Sequence, residues 1–76
     1  MIEPRAVDVG MTNDELVVHL ADGRAVSVPL AWFPRLLHAS ADERANLRLI
    51  GDGEYINWPA IDEDLSVSGL LRGLSS

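Results

Sequence analysis

The dipeptide Asp-Gly occurs twice in this chain, at Asp22-Gly23 and Asp52-Gly53, each time between short runs of alternating apolar residues. Asp-Gly between such runs is among the strongest local signals for a β-hairpin. Gly reaches positive φ without a Cβ penalty, and Asp tolerates it. At least two hairpins are therefore expected, and the side-chain period fixes their registers, because a slip of one residue turns every side chain to the other face.

For the first hairpin, a three-residue turn Ala21-Asp22-Gly23 pairs Leu20 with Arg24, Val18 with Val26 and Leu16 with Val28. That register collects the apolar side chains on one face, whereas a two-residue turn does not. Upstream, Val7, Val9 and Met11 alternate with Asp8 and Gly10, which predicts a further strand with those three residues facing the core. Thr12-Asn13-Asp14 supplies the turn between them, and Pro29 ends the third strand by removing a ladder donor. For the second hairpin, a two-residue Asp52-Gly53 turn pairs Leu49 with Ile56 and Leu47 with Trp58, with Ile50 and Tyr55 on the other face. Pro59 closes that strand.

Between the hairpins, Leu30 to Ala39 reads as a helix entered through Trp32-Phe33, with Pro34 in its first turn and Leu36 and Leu37 facing the sheet. Ser40 and Glu43 have the spacing of a capping box, so a second helical turn is expected from Ala41. Ser66 is a suitable N-cap for a last helix, Val67 to Arg72, with Gly73 as its stop and Leu74-Ser75-Ser76 as a tail. Asp62-Glu63-Asp64 is expected in a solvated loop before that helix. The fold class is thus α+β: a small antiparallel sheet built from a three-stranded meander, a helical connection, a second hairpin and a short C-terminal helix.

One domain accounts for all of residues 1–76. Hydrophobic residues make up 47% of the chain, too many for disorder. A domain of this size buries only about 60% of the surface its unfolded chain exposes, so a disulfide, a metal or a partner often adds support. With no Cys there is no disulfide, and two His without Cys do not make a structural zinc site. Association, with a second copy or another protein, is the remaining route. The formal net charge is -6, from six Arg against twelve acids. That balance argues against direct nucleic-acid binding and favours a basic protein partner. The first residues lack an apolar signal core, and no apolar run has a membrane-spanning length, so the cytoplasm is the expected compartment.

Chemistry is sparse. His19 and His38 have no nucleophile in a recognisable setting, there is no phosphate-binding Gly pattern, and the acids 62–64 have no calcium-loop spacing. No catalytic, metal or cofactor residue is assigned, and the chain is read as not an enzyme. Trp32-Phe33-Pro34-Arg35 has the composition of an interface anchor: large aromatics, a Pro and an Arg together.

These same stretches carry a resemblance. Trp32-Phe33-Pro34-Arg35-Leu36, Glu43-Arg44-Ala45-Asn46, Trp58-Pro59, Ile61-Asp62-Glu63-Asp64-Leu65-Ser66-Val67 and Gly69-Leu70-Leu71 resemble the bacterial domain of unknown function 2442 family, from about residue 5 to residue 73. Ser68 departs from the pattern, standing where an acidic residue is frequent. The resemblance implies a small sheet with helices, found alone or attached to a helix-turn-helix. It also implies a gene often placed beside another small uncharacterised family, an arrangement like that of toxin–antitoxin pairs. It carries no catalytic residues. The patterned positions Trp32, Pro34, Arg35, Arg44, Asn46, Trp58, Asp62, Glu63 and Asp64 are candidates for a partner-binding face. The expected function is a protein-interaction module, an antitoxin-like partner of a small basic protein. The alternatives are an accessory subunit of a transcription regulator, or an oligomeric enzyme whose site is shared between subunits.

Overall fold

The structure, a computed structural model, describes residues 4–75, with side chains as far as Gly73. Met1-Ile2-Glu3, on which the reading of the N-terminus rests, and Ser76 of the tail lie outside the described residues. Six strands and three helices follow one another: β1 (Ala6–Met11), β2 (Glu15–Leu20), β3 (Ala25–Pro29), α1 (Pro34–Leu37), α2 (Ala41–Ala45), β4 (Arg48–Ile50), β5 (Tyr55–Trp58), β6 (Glu63–Ser66) and α3 (Val67–Ser75). They form two antiparallel three-stranded sheets, ordered β1-β2-β3 and β4-β5-β6.

The β2–β3 register is the one the apolar pattern predicts: Val18 opposes Val26 and Leu16 opposes Val28. Gly23, at φ +94, closes the turn, and its N–H donates to the Leu20 carbonyl at 3.1 Å. The Asp22 carboxylate accepts from the Arg24 backbone N–H at 3.0 Å and from Arg24 Nε at 2.8 Å. These bonds, the backbone one first, hold its pKa below the ordinary 3.8.

β1 departs from simple alternation. The register shifts between Ala6 and Asp8, so Val7 is the extra residue of a β-bulge. Ala6 is buried in place of Val7, which is 59% exposed. Val9 and Met11 stand on the core face but are only half-buried. The bulge lets the Ala6 N–H donate to the Gly53 carbonyl at 2.7 Å, which ties the two sheets together.

The expected helix from Leu30 to Ala39 is broken in two. Leu30–Trp32 is a single 3-10 turn, and Phe33, with φ -129 and ψ 83, separates it from α1. Pro34 is the cause: it disfavours helical geometry in the residue before it. Pro34 itself sits at the first helical position, as expected. With one turn only, α1 buries Leu36 and leaves Leu37 exposed. In α2 the capping box forms in full: Glu43 N–H donates to Ser40 Oγ at 3.1 Å, and Ser40 N–H donates to Glu43 Oε1 at 2.9 Å.

The β4–β5 register also matches the pattern, with Leu49 opposite Ile56. Gly51, Asp52 and Gly53 all have positive φ. The second sheet then gains a strand where a loop was expected. Pro59–Ile61 forms a 3-10 turn, Asp62 reverses the chain at φ 54, and β6 returns antiparallel along β5, Leu65 opposite Ile56. The acids 62–64 are thus a turn residue and the start of an edge strand. α3 begins where expected, with Ser66 Oγ accepting from the Gly69 N–H at 3.1 Å. Ser68 contributes a hydroxyl 3.1 Å from Ser66 Oγ, where an acid would otherwise face the helix start. Gly73 does not stop the helix, which runs on to Ser75 and takes in most of the expected tail.

One core serves both sheets. Leu16, Val18 and Val28 from the first and Ile56 and Trp58 from the second are 1% exposed or less, and Leu30, Leu36 and Val67 join them. Each such side chain contributes about 1.5–3 kcal/mol on burial.

Candidate functional site

The structure sorts the nine candidate residues into a face and a scaffold. Trp58 belongs to the scaffold. It is fully buried, and its indole Nε1 donates to the Arg44 carbonyl at 3.1 Å. A Trp two residues beyond Ile56 on the same strand face points into the core, so it is withdrawn from the partner-binding set. Arg44 is likewise occupied. Its Nε donates to the Leu36 carbonyl at 2.9 Å and its Nη2 to the Leu37 carbonyl at 2.8 Å. A cation on the free carbonyls at a helix C-terminus is favourable, and here it fastens α1 to α2. Asn46 is exposed at the end of α2, its backbone N–H donating to the Asp42 and Glu43 carbonyls.

The remaining candidates come together. Trp32 leaves the 3-10 turn with half of its surface exposed (49%), while Phe33 packs partly buried against the core. The two rings meet edge-on, centroids 6.4 Å apart. Pro34 follows, exposed at the helix start. Arg35 reaches across to the acidic stretch, its Nη1 donating to the Asp62 backbone carbonyl at 2.6 Å. This bond joins the aromatic turn to the entrance of β6. Asp62 and Asp64 are exposed and Glu63 is half-buried. The Asp64 carboxylate accepts from the Asn57 side-chain amide. None of the three acids has an ion pair among the described residues, where the ion pairs are Arg5 with Asp52 and Arg24 with Asp22.

Beside these charges runs a small groove of about 260 Å³, walled by Trp32 and Phe33, by Asp64 and Leu65 of β6, and by Gly69 and Gly73 of α3. The two glycines, four residues apart, lie on one side of the helix. A Cβ at Gly73 would lie 3.8 Å from the Trp32 ring, so the helix surface here is low enough for the indole to lie against it. The arrangement offers one apolar slot bordered by Asp64, whose carboxylate has no ion pair among the described residues, on the open edge of the second sheet. Asn57, Gly69 and Gly73 are not among the candidates for the partner-binding face drawn from the sequence. The Gly-x-x-x-Gly spacing in the last helix was the available signal, but Gly73 read as a helix stop. His19 and His38 are exposed, and among the described residues no three His, Cys, Asp or Glu are grouped to hold a metal. No helix is long and apolar enough to cross a membrane among the described residues.

No curated protein matches the chain. A solved structure from Rhodospirillum rubrum, described as a protein of unknown function, is similar with a TM-score of 0.79 and 30% sequence identity, over 95% of this chain and 89% of that one. The family described as "Protein of unknown function (DUF2442)" matches residues 6–76. With its two sheets, aromatic turn and acidic edge strand all inside that match, the chain belongs to the DUF2442 family.

Proposed function

We propose that the chain is a protein-interaction module that docks a basic protein through Trp32, Arg35 and the edge formed by residues 62–64. The carrying observation is an indole with 49% of its surface exposed that shares a groove with Asp64, in a run of three acids that have no ion pair among the described residues. An exposed Trp is large and rigid, the kind of side chain that anchors interfaces when a partner covers it. The carboxylates favour a partner carrying Arg or Lys and hasten its approach. The net charge of -6 acts in the same direction over longer range.

The test is affinity purification of the tagged chain from its host, with mass spectrometry, alongside Trp32→Ala and a triple neutralisation of Asp62, Glu63 and Asp64. One stoichiometric basic protein should be retained by the native chain and lost from both variants. Retention unchanged in both would place the partner on another surface. The sharper form of the same reading is an antitoxin-like role. The retained protein would then arrest growth when expressed alone, and co-expression of this chain would relieve the arrest. A harmless partner would leave the interaction module and remove the antitoxin.

A further inference from the structure

The second sheet ends at β6. In the order β4-β5-β6, that strand has a neighbour on one side only. Its backbone phase follows from the Val67 N–H, which donates to the Glu54 carbonyl at 3.0 Å just past the last β5–β6 pair. Hydrogen-bonded and non-bonded pairs alternate along an antiparallel ladder. Glu63 and Leu65 therefore turn their backbone groups toward β5, while Asp64 and Ser66 turn theirs to the open edge. No loop or turn hydrogen bond among the described residues ends on the backbone of Asp64 or on the Ser66 N–H. At its start the edge is closed, because Arg35 Nη1 holds the Asp62 carbonyl.

The two faces of this edge differ. Asp64 lies on the exposed face with one carboxylate oxygen on the Asn57 amide, and its Oδ2 has no bond or ion pair among the described residues. Leu65 points the other way, buried, toward the slot beside Trp32 and Phe33. Side chains of an added strand would alternate in the same way. A residue opposite Asp64 comes beside the carboxylate, and its neighbours fall on the side of the slot. Arg35 stands on the Asp62 carbonyl and Arg72 beside Gly69, so the preference for a cation is sharpest opposite Asp64 rather than along the whole edge.

Resting on the docking face argued above, we propose that the partner supplies an extended segment that adds to β6 as a fourth strand of the second sheet, antiparallel, with Lys or Arg opposite Asp64 and an apolar residue on either side of it. The Asp64 N–H donates to the carbonyl of the basic residue, and the Asp64 carbonyl accepts from its N–H. The Ser66 N–H donates to a further carbonyl of the segment. One apolar neighbour enters the slot and covers the Trp32 ring. Backbone bonds then supply affinity, while the slot and the carboxylate read alternate side chains. The net charge of -6 disfavours a second copy of this chain in that place.

The probe is a phage-displayed library of random seven-residue peptides panned on the native chain. Enriched peptides should carry Lys or Arg between two apolar residues. The best of them, made synthetically, should blue-shift the fluorescence of Trp32, since the other Trp is already buried. N-methylation of its basic residue removes one backbone donor and keeps the charge, and should weaken binding at least about tenfold. Asp64→Asn should weaken it about fivefold. Asp14→Asn, on the turn between β1 and β2, should leave it unchanged. A peptide that binds equally well when methylated overturns strand addition, as does a library that yields no enriched peptide or none with a basic residue. In each of these cases the docking face itself still stands if Trp32→Ala loses the retained basic protein. Peptides indifferent to both Trp32→Ala and Asp64→Asn overturn strand addition and the face together.

Discussion

Gly53 shows how one residue can hold two sheets together. It sits at φ +96 with its carbonyl 2.7 Å from the Ala6 N–H, and a Cβ there would lie 2.1 Å from the Ala6 carbonyl oxygen. Gly23 has nearly the same φ, +94, but open space around it. The two substitutions to Ala should therefore separate strain from collision. Gly23→Ala meets only the positive-φ penalty, about 1 kcal/mol, whereas Gly53→Ala must also push β1 away and should lose more than about 3 kcal/mol. Urea denaturation of the two variants measures the difference; equal losses would mean that the β1 contact yields easily. The sequence marks both glycines as turn residues, and that much is legible from Asp-Gly alone. The approach of Ala6 to one of them is not, because it depends on the bulge at Val7, which no local pattern announces.

At the scale of elements, the hairpins are the parts read most directly from the chain. Their registers follow from period two and the turn residues, which are local. The capping box is equally local, and Ser40→Ala should cost about 1 kcal/mol. Thermal unfolding should show the loss, with Glu43→Ala giving a smaller one. A Ser40→Ala variant as stable as the native chain would mean that packing alone holds α2. The elements misread from the sequence share a different cause. β6 carries Glu63 and Asp64, residues with little strand preference. It forms because β5 presents an unpaired edge and Asp62 accepts a left-handed turn at φ 54. The helix expected over Leu30–Ala39 fails at Phe33 for a reason the sequence does contain: the following Pro34 disfavours helical geometry in the residue before it. In the candidate face, Trp32, Pro34, Arg35 and the acids were legible by composition. Their proximity was not, because it comes from β6 and from Arg35 reaching the Asp62 carbonyl.

As a whole molecule, the chain has two sheets and one core. Leu16 and Val28 from the first sheet lie in the same buried cluster as Ile56 and Trp58 from the second. Neither sheet keeps a dry face without the other, so they should unfold together. In a Trp32→Phe variant, the remaining indole reports the second sheet, and far-UV circular dichroism reports both. The two denaturation curves should coincide. Separate midpoints would show that the sheets are independent units.

What the sequence determines by itself is whatever depends on neighbours along the chain: the hairpin registers, the turn glycines, the α2 cap, the α3 start and the net charge of -6. Tertiary structure decides what depends on distant partners. It buries Trp58 and leaves Trp32 exposed, though both are tryptophans followed closely by proline. It draws the acids into a sixth strand, and it trades Val7 for Ala6 in the core. The physical reason is the same in each case. Local geometry is settled by steric and hydrogen-bonding preferences within a few residues, whereas the side of a strand or turn that becomes dry is settled by which apolar surfaces the whole chain can bring together.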